Sequence, residues 1–357
     1  MRSDVSRPFR FTRSVPSPMQ RTTRERVRVV VADPMAKGGL RELERHFQVS
    51  YLPEIAESEW WSHLGDASAV VVRKFSVDAD TLDRLPHVEA VVKHGAGVDN
   101  IDVDAATRRG VAVLSTPGVG AAAVAEHAVM LALMVCRRAR DLHDAVVDGR
   151  FEAREDWRLT EIEGKTVGIV GFGSIGRHVA RIFRDGFGAA ILAYDPAVDA
   201  KSPDLRLAEM ATLDDLLASA DVVTVHAPLT AETRHMIGAR ELALMKPRAA
   251  LVNTARGGLI DERALVTALR DGKLAGAGLD VFEQEPPDAH NELLALPNVI
   301  CSPHIAGLTA EAADRLSQAA AAAVVAILAR SDRLDGLLNP EYARHRSDSR
   351  TVRNPRR

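Results

Sequence analysis

The sequence predicts an α/β protein of two domains, in which a doubly wound parallel sheet is inserted into a second, smaller α/β domain. Its 357 residues are more than one hydrophobic core usually supports, so two domains are expected. Short β-branched segments alternate with helical patterns along most of the chain. In the second half these segments are continuously apolar, which indicates strands that are buried on both faces.

The smaller domain is predicted to begin with residues 27–118. Its five candidate strands are VRVVVAD (27–33), VSYL (49–52), AVVV (69–72), VEAVVKH (88–94) and VAVLS (111–115). Most of them are rich in Val, and helical or polar segments separate them, which is the pattern of strands in an α/β layer. We therefore expect these residues to form one sheet with its helices.

The larger domain is predicted for residues 119–303. It opens with a long helical segment from Val119 to Val147 that looks like a connector between the domains. The candidate strands that follow are KTVGIVG (165–171), AILAYD (190–195), DVVTVHA (221–227), AALVNTA (249–255), LAGAGLDV (274–281) and NVICSP (298–303). A last helical pattern at 308–330, within residues 304–340, would carry the chain back to the smaller domain. Sequence alone also permits two tandem domains.

Both ends of the chain are basic. Residues 1–26 and 342–357 each carry a net charge of +5 while the whole chain carries −3, so the body between them carries −13. We expect the extension 1–26 and the tail 341–357 to be unfolded, because they cannot bury enough apolar surface to offset the entropy of ordering. The extension also has the composition of a transit peptide, but it lacks the apolar core of a secretory signal.

The composition excludes several classes of protein. No apolar run approaches the roughly 20 residues that a membrane span needs. The acidic body disfavours nucleic-acid binding, which depends on clustered Lys and Arg. The two cysteines, Cys136 and Cys301, each lie in an apolar stretch, so we expect no disulfide framework and no metal site. A reducing cytoplasm is the compartment that this cysteine usage favours.

The segment GFGSIG at 171–176 lies between a strand and a helix, as a dinucleotide-binding motif requires. Gly171 would allow the tight turn, Gly173 the approach of the backbone to a pyrophosphate, and Gly176 the close packing of helix and strand. The next strand ends at Asp195, where a carboxylate can accept both ribose hydroxyls and repel a 2′-phosphate. This pairing predicts NAD rather than NADP. The alternative is that Asp195 is only a turn residue.

Three polar segments follow predicted strands, at the edge where parallel sheets bind ligands: NTARGGLIDE (253–262), LDVFEQEP (279–286) and SPHIAG (302–307). The guanidinium of Arg256 has the planar shape that suits a carboxylate. Glu285 could orient the imidazole of His304 and favour its protonated form, which would make His304 a general acid/base. Taken singly, each residue also has an ordinary explanation as a solvated loop or turn residue.

These segments, in this order, resemble the D-isomer-specific 2-hydroxyacid dehydrogenase family. The resemblance covers about residues 27–340 and includes KHGAGVDNID (93–102), STPGVGAAAVAEHAV (115–129), GKTVGIVGFGSIG (164–176) and HAPLTAET (226–233). It implies a Rossmann-type sheet that binds NAD, inserted into a smaller flavodoxin-like domain that binds substrate. It also implies a homodimer that forms through the Ala-rich helices around residues 119–148.

The resemblance implies roles for the residues at matching positions. His304 would exchange a proton with the substrate hydroxyl, Glu285 would keep His304 oriented, and Arg256 would hold the substrate carboxylate and keto oxygen. The residues that match cofactor positions are Gly171, Gly173, Ser174, Ile175, Gly176, Asp195, Thr254, Ala255, Arg256, Asp280, His304, Ile305, Ala306 and Gly307. The residues that match substrate positions are Arg73, Gly95, Ala96, Gly97 and Arg256.

Three positions depart from the family's usual pattern. Lys74 follows Arg73 where relatives often carry Ser. His94 stands where phosphoglycerate enzymes often carry Arg, and Gly120 stands where Asn is common. The substrate therefore stays open between 3-phosphoglycerate and smaller acids such as glyoxylate or hydroxypyruvate. Because only a basic tail follows Pro340, we expect no regulatory serine-binding domain of the kind that some phosphoglycerate dehydrogenases possess.

The main prediction is an NAD-dependent oxidoreductase that transfers hydride between NAD(H) and a small D-2-hydroxy acid or 2-keto acid. An NAD-binding, corepressor-like interaction protein is the alternative from another class, because fold and cofactor alone do not establish turnover. A third alternative keeps the hydride chemistry but takes phosphite as the donor.

Overall fold

The computed structural model describes residues 27–152, 157–198 and 206–345. Two parallel β-sheets with helices packed against them form the core, which confirms the predicted α/β class. In the described part of the chain, no helix has both the length and the apolar character that crossing a bilayer requires. The expectations for residues 1–26 and for the tail beyond residue 345 concern segments outside the described residues.

The first sheet has the strand order of flavodoxin-like proteins. It consists of β1 (Arg28–Val31), β2 (Gln48–Tyr51), β3 (Ala69–Val72), β4 (Ala90–Lys93) and β5 (Ala112–Leu114), in the spatial order β2-β1-β3-β4-β5. The accompanying helices are α1 (Lys37–His46), α2 (Trp60–Leu64), α3 (Ala79–Asp83) and α4 (Val103–Arg108). All pairings are parallel. Every residue of β3 and β4 is buried, and all of them except Lys93 at the end of β4 are apolar, as strands covered on both faces require.

The second sheet is the larger one. It consists of β6 (Thr166–Val170), β7 (Ala190–Tyr194), β8 (Glu209–Met210), β9 (Val222–Val225), β10 (Ala250–Asn253), β11 (Gly276–Leu279) and β12 (Val299–Cys301), in the order β12-β11-β10-β9-β6-β7-β8. Its helices are α5 (Ala121–Cys136), α6 (Ala139–Val147), α7 (Ser174–Phe187), α8 (Leu213–Ser219), α9 (Ala239–Leu244), α10 (Glu262–Arg270) and α11 (Glu292–Ala295). The order reverses between β6 and β9, which creates the crevice where doubly wound sheets bind dinucleotides.

The chain returns to the first sheet through α12 (Ala310–Leu328), which packs against α1, β3 and β4. Val324 and Ile327 of this helix lie in the same core cluster as Val29 of β1. Beyond the helix, the buried Asn339 accepts the N–H of Val113 in β5 at 2.7 Å. The predicted insertion topology is therefore confirmed, while the exact limits of the domains stay a prediction.

Three details differ from the expectations. The helical segment 119–147 is two helices, because Arg138 adopts the left-handed conformation (φ 49°) between α5 and α6. Strand β8 was not expected, since a pair of residues at a sheet edge carries almost no periodic signal. Residues 341–345 are not the start of an unfolded tail: Tyr342 is 8% exposed and packs in the core of the first sheet.

Candidate active site

The loop between β6 and α7 has the shape of a phosphate-binding turn. Gly171 has a φ of 93°, and a Cβ atom there would lie 2.5 Å from the backbone nitrogen of Ala227. A Cβ atom on Gly176 would lie 2.3 Å from the carbonyl oxygen of Gly171, so helix and strand pack as closely as predicted. At Gly173 a Cβ atom would meet no heavy atom within 4 Å, and no side chain caps α7. The helix N-terminus therefore offers its N–H groups to an anion.

Asp195 follows β7 and faces this glycine loop. Its Oδ2 accepts the N–H of Phe172 at 2.8 Å, and its Oδ1 accepts the N–H of Ala197 at 2.9 Å. The side chain is partly exposed, and each carboxylate oxygen keeps a second lone pair. Asp195 can therefore support the loop and still accept the hydroxyls of a ribose.

Two buried polar atoms at the same edge of the sheet have no hydrogen-bond partner among the described residues. They are Oγ1 of Thr254, after β10, and Nδ1 of His226, after β9. Burial lowers the pKa of His226 to about 3, so this imidazole is neutral at physiological pH. Buried polar atoms without partners favour a bound group that supplies them. Together with the open space at Gly173 and the carboxylate of Asp195, they fit a dinucleotide.

Arg256 follows β10, and its guanidinium reaches across to the loop that follows β4. Its Nε and Nη2 donate to the same oxygen of Asp99, each at 2.8 Å, and its Nη1 donates to the carbonyl of Ala255 at 2.7 Å. The side-chain amide of Asn253 donates to the carbonyl of Arg256 at 2.8 Å. A Cβ atom on Gly97 would lie 1.6 Å from Nη2 of Arg256. A larger residue at position 97 would force this guanidinium out of its observed position.

His304 and Glu285 form the hydrogen-bonded pair that the sequence predicts. Nδ1 of His304 lies 2.6 Å from Oε2 of Glu285, and the two side chains are 48% and 37% exposed. The other carboxylate oxygen of Glu285 accepts the N–H of Phe282 at 3.2 Å. Because Nδ1 is held by the carboxylate, Nε2 of His304 is the ring nitrogen that is left to face a substrate.

Asp280 organises the turn that carries His304. Its side chain is 0% exposed. Its two oxygens accept the N–H groups of Ile305 and Ala306, each at 2.9 Å, and the hydroxyl of Ser302 at 2.6 Å. The structure thus places Asp280 beneath the turn, and its predicted contact with a cofactor stays a prediction.

Sequence reasoning missed Lys93 and Asp99, which lie on either side of the predicted Gly95–Gly97 loop. Nζ of Lys93 donates to the carbonyl of Arg73 at 2.7 Å and also to the side chain of Asn100. Burial and the nearby charge of Arg256 lower the pKa of Lys93 to about 8. Burial raises the pKa of Asp99, but the hydrogen bond and the charge of Arg256, together with a backbone hydrogen bond and the charge of Lys93, bring the pKa below its usual value. The motif KHGAGVDNID contains both residues and was their only signal.

Arg73 and Lys74 follow β3, on the same sheet edge as the glycine loop after β4. One oxygen of Asp33 accepts the backbone N–H groups of Arg73, Lys74 and Phe75, at 2.6 to 2.9 Å. The side chain of Arg73 is partly buried, whereas that of Lys74 is exposed. The positive charge of Arg73 is one of the causes that lower the pKa values of Lys93 and His94.

The structure shows the surroundings of two of the departures noted above. His94 points away from the loop, because its Nε2 lies 3.1 Å from Oγ of Ser317 in α12. Burial and the charge of Arg73 lower its pKa to about 4, so His94 does not replace the charge of an arginine. Gly120 precedes α5, and a Cβ atom there would meet only Leu316, at 3.7 Å. The backbone therefore leaves space for a larger residue at position 120.

The fold and this site define a dinucleotide-binding protein. The family model "D-isomer specific 2-hydroxyacid dehydrogenase, NAD binding domain" matches residues 129–306, which include the whole second sheet. A glyoxylate reductase from Thermococcus gammatolerans is 38% identical over 309 residues, which cover 84% of this chain and 92% of that protein. The chain belongs to the D-isomer specific 2-hydroxyacid dehydrogenase family, and its cofactor is NAD.

Two further relatives show how much of each known protein this chain matches. A D-3-phosphoglycerate dehydrogenase from Archaeoglobus fulgidus is 38% identical over 288 residues, which cover 80% of this chain and 54% of that protein. The chain thus spans about half the length of the phosphoglycerate dehydrogenases that it matches. The crystal structure of a glyoxylate reductase from Paecilomyes thermophila superposes with a TM-score of 0.79 at 32% identity and covers 88% of this chain and 99% of that chain.

Proposed function

We propose that this protein is an NAD-dependent dehydrogenase that interconverts a small D-2-hydroxy acid and its 2-keto acid. The hydrogen bond of 2.6 Å between His304 and Glu285 carries the proposal, because it joins an acid/base group to the carboxylate that orients it. Arg256, Glu285 and His304 follow β10, β11 and β12, which are neighbours in the sheet. The carboxyl ends of these strands lie at one edge of the sheet, the same edge as the Gly171–Gly176 loop after β6.

Each side chain has a defined task in the reduction of a 2-keto acid. Nε2 of His304 donates a proton to the ketone oxygen, while Glu285 holds the opposite side of the ring and stabilises the charged imidazole. The guanidinium of Arg256 binds the substrate carboxylate and polarises the ketone. Bound NADH supplies the hydride that C2 receives. In the oxidative direction, His304 removes the proton from the hydroxyl.

Asp99 prepares Arg256 for this task. It occupies Nε and Nη2 of the guanidinium, which are donors that suit a carboxylate. A substrate carboxylate therefore takes over or shares donors that are already ordered, instead of ordering a free side chain. Lys93 lies close enough for its pKa to be lowered by the charge of Arg256. It adds positive charge to the site below about pH 8.

We infer that NAD is preferred over NADP and that Arg73 contacts the distal part of the substrate. The carboxylate of Asp195 at the end of β7 supports the first inference, because it would repel a 2′-phosphate. The partly buried arginine at position 73 supports a substrate with a second anionic group. The coverage of 92% of a glyoxylate reductase supports glyoxylate or hydroxypyruvate. These two observations favour different substrates. The test therefore includes keto acids with and without a second anionic group.

A panel of 2-keto acids tests the proposal. Glyoxylate, hydroxypyruvate, pyruvate and phosphohydroxypyruvate are each offered with NADH, and the loss of NADH absorbance is followed. We expect turnover with at least one of them. If NADH binds, none of the four acids is reduced and phosphite does not reduce NAD, the result favours the corepressor-like alternative. If NAD is reduced only when phosphite is supplied, the third alternative is correct.

We also infer a homodimer that forms through α5 and α6, and a cytoplasmic location. Val146 and Val147 at the end of α6 are 61% and 69% exposed, and the nearby Phe151 is 57% exposed. Exposed apolar side chains that lie together favour a contact with another subunit. The free thiols of Cys136 and Cys301 support a reducing compartment. Light scattering gives the mass of the assembly, and Val147→Glu should lower it to that of a monomer.

A further inference from the structure

The turn that carries His304 is held in an unfavourable backbone conformation. His304 has a φ of 51°, in the left-handed region that residues other than glycine rarely adopt. Its N–H donates to the carbonyl of Asp280 at 2.7 Å, and the next two N–H groups donate to the carboxylate of the same residue. Such a conformation persists only where the surroundings hold it. The position of the acid/base group therefore depends on the carboxylate of Asp280.

A second histidine reaches the same carboxylate from α5. Nε2 of His127 lies 2.8 Å from Oγ of Ser302 and 3.6 Å from Oδ1 of Asp280. The hydroxyl of Ser302 donates its single hydrogen to Oδ1 of Asp280, at 2.6 Å. Oγ of Ser302 must then accept a hydrogen from His127, because a hydroxyl has one hydrogen to donate. The network thus assigns the Nε2–H form to His127.

We propose that His127 is a positioning residue, which acts through Ser302 and Asp280 to hold the turn that presents His304. The inference rests on the proposed function, since it explains how the acid/base group of that reaction is kept in place. His127 lies on α5, whereas Ser302 follows β12 and Asp280 follows β11. The network therefore connects α5, which precedes the second sheet in the chain, to the ends of β11 and β12 at one edge of that sheet.

A simple packing role for His127 predicts different behaviour. Its side chain is 16% exposed, so any large replacement would fill much of the same space. Loss of packing alone would lower the melting temperature and leave the turn intact. Loss of the donated hydrogen would free the hydroxyl of Ser302 to rotate and would weaken one of the contacts that hold Asp280. The two roles are separated by a replacement that keeps the shape of a histidine but donates no hydrogen bond.

Amide hydrogen exchange measures the turn without any turnover. The variants are His127→Phe, which removes the donor, and His127→Gln, whose side-chain N–H reaches a similar distance. We expect peptides that contain Ile305 and Ala306 to exchange several-fold faster in His127→Phe and at nearly the wild-type rate in His127→Gln. Val135→Ala, a buried position two turns along α5, is the matched control. It should lower the melting temperature without changing exchange in the turn.

Kinetics add a second measurement. In His127→Phe we expect kcat to fall about tenfold, the size expected when one hydrogen bond in a charged network is lost. KM for the keto acid should change by less than about twofold, because Arg256 and the Gly95–Gly97 loop lie outside the network. Ser302→Ala should reproduce the fall in kcat. Adding His127→Phe to Ser302→Ala should lower kcat no further, since the contact that His127 makes is already gone.

Two results would overturn the proposal. The first is unchanged exchange at Ile305 and Ala306 in a folded His127→Phe protein or in Ser302→Ala. The second is an additive effect of the two replacements on exchange, which would show that they act independently. Ser302→Ala removes a single oxygen atom and keeps the test valid if His127→Phe does not fold. A wild-type protein that reduces no 2-keto acid would contradict the proposed function, whereas the exchange experiment would still decide the role of His127.

Discussion

The two sides of the cleft carry different functional groups on similarly supported loops. On the side of the second sheet, carboxylates accept hydrogen bonds from the backbone: Asp280 holds the turn of His304, and Glu285 holds its ring. On the side of the first sheet, the cations Arg73 and Lys93 flank the Gly95–Gly97 loop, and the carboxylate of Asp33 holds the backbone of Arg73. The second sheet therefore carries the groups that would move a proton, and the first sheet carries the positive charge that would meet the tail of a substrate. Variants on the two sides should consequently affect different kinetic constants.

The largest effect is expected from His304→Asn on the second sheet. Because asparagine tolerates the left-handed conformation, the turn should survive the change. We expect kcat to fall by roughly 100-fold or more, the usual range for a positioned acid/base group, while NADH affinity stays nearly the same. NADH fluorescence titration and steady-state kinetics measure the two quantities. The exposed His290→Asn is the control, and a kcat like that of the wild type in His304→Asn would remove the assignment.

The next largest effect is expected at Asp195. This residue supports the loop after β6 and is also proposed to select NAD over NADP. Asp195→Ala should narrow the ratio of kcat/KM for NADH over NADPH by roughly tenfold, because the charge that repels a 2′-phosphate is lost. Collapse of the loop alone would lower both values equally and leave the ratio unchanged. The exposed Asp185→Ala on α7 serves as control. An unchanged ratio in Asp195→Ala would mean that Asp195 only supports the turn.

On the first sheet, Arg73→Ala should change KM rather than kcat. If its guanidinium binds a second anionic group, KM for phosphohydroxypyruvate should rise roughly tenfold, and KM for glyoxylate, which has no tail, should barely change. Lys74→Ala is the matched control, because Lys74 is exposed beside it. Equal increases for both substrates would contradict a role in recognising the tail. If the wild type reduces phosphohydroxypyruvate poorly, a phosphorylated substrate is excluded, and the protein is a general 2-keto acid reductase.

The smallest effect concerns the two ends of the chain. A protein shortened to residues 27–345 should keep the melting temperature and kcat of the full chain. One shortened to residues 27–341 should melt a few degrees lower, because it loses Tyr342, which is 8% exposed in the core of the first sheet. Differential scanning calorimetry makes the comparison. Equal melting temperatures for the two shortened proteins would show that Tyr342 contributes little.

Much of the candidate site was predictable, because its residues follow strands whose apolar runs are easy to recognise. Arg256, Glu285 and His304 come after β10, β11 and β12, and parallel strands bring their carboxyl ends to one edge. The loop that contains Gly171, Gly173 and Gly176 was predictable for the same reason, because it follows β6. Lys93 and Asp99 were missed, because a lysine inside a strand pattern and an aspartate in a loop are usually solvated. Only the approach of the two sheets turns them into neighbours of Arg256.

The sequence by itself determined the order of the strands along the chain, the dinucleotide-binding loop and the segments that carry the candidate catalytic residues. These features are local, since periodicity and glycine spacing act over a few residues. The tertiary structure decided which charges meet across the cleft. It pairs Asp99 with Arg256, turns His94 away towards α12 and brings His127 to Ser302. Each of these contacts joins residues more than 150 positions apart, so only the packing of complete elements could bring them together.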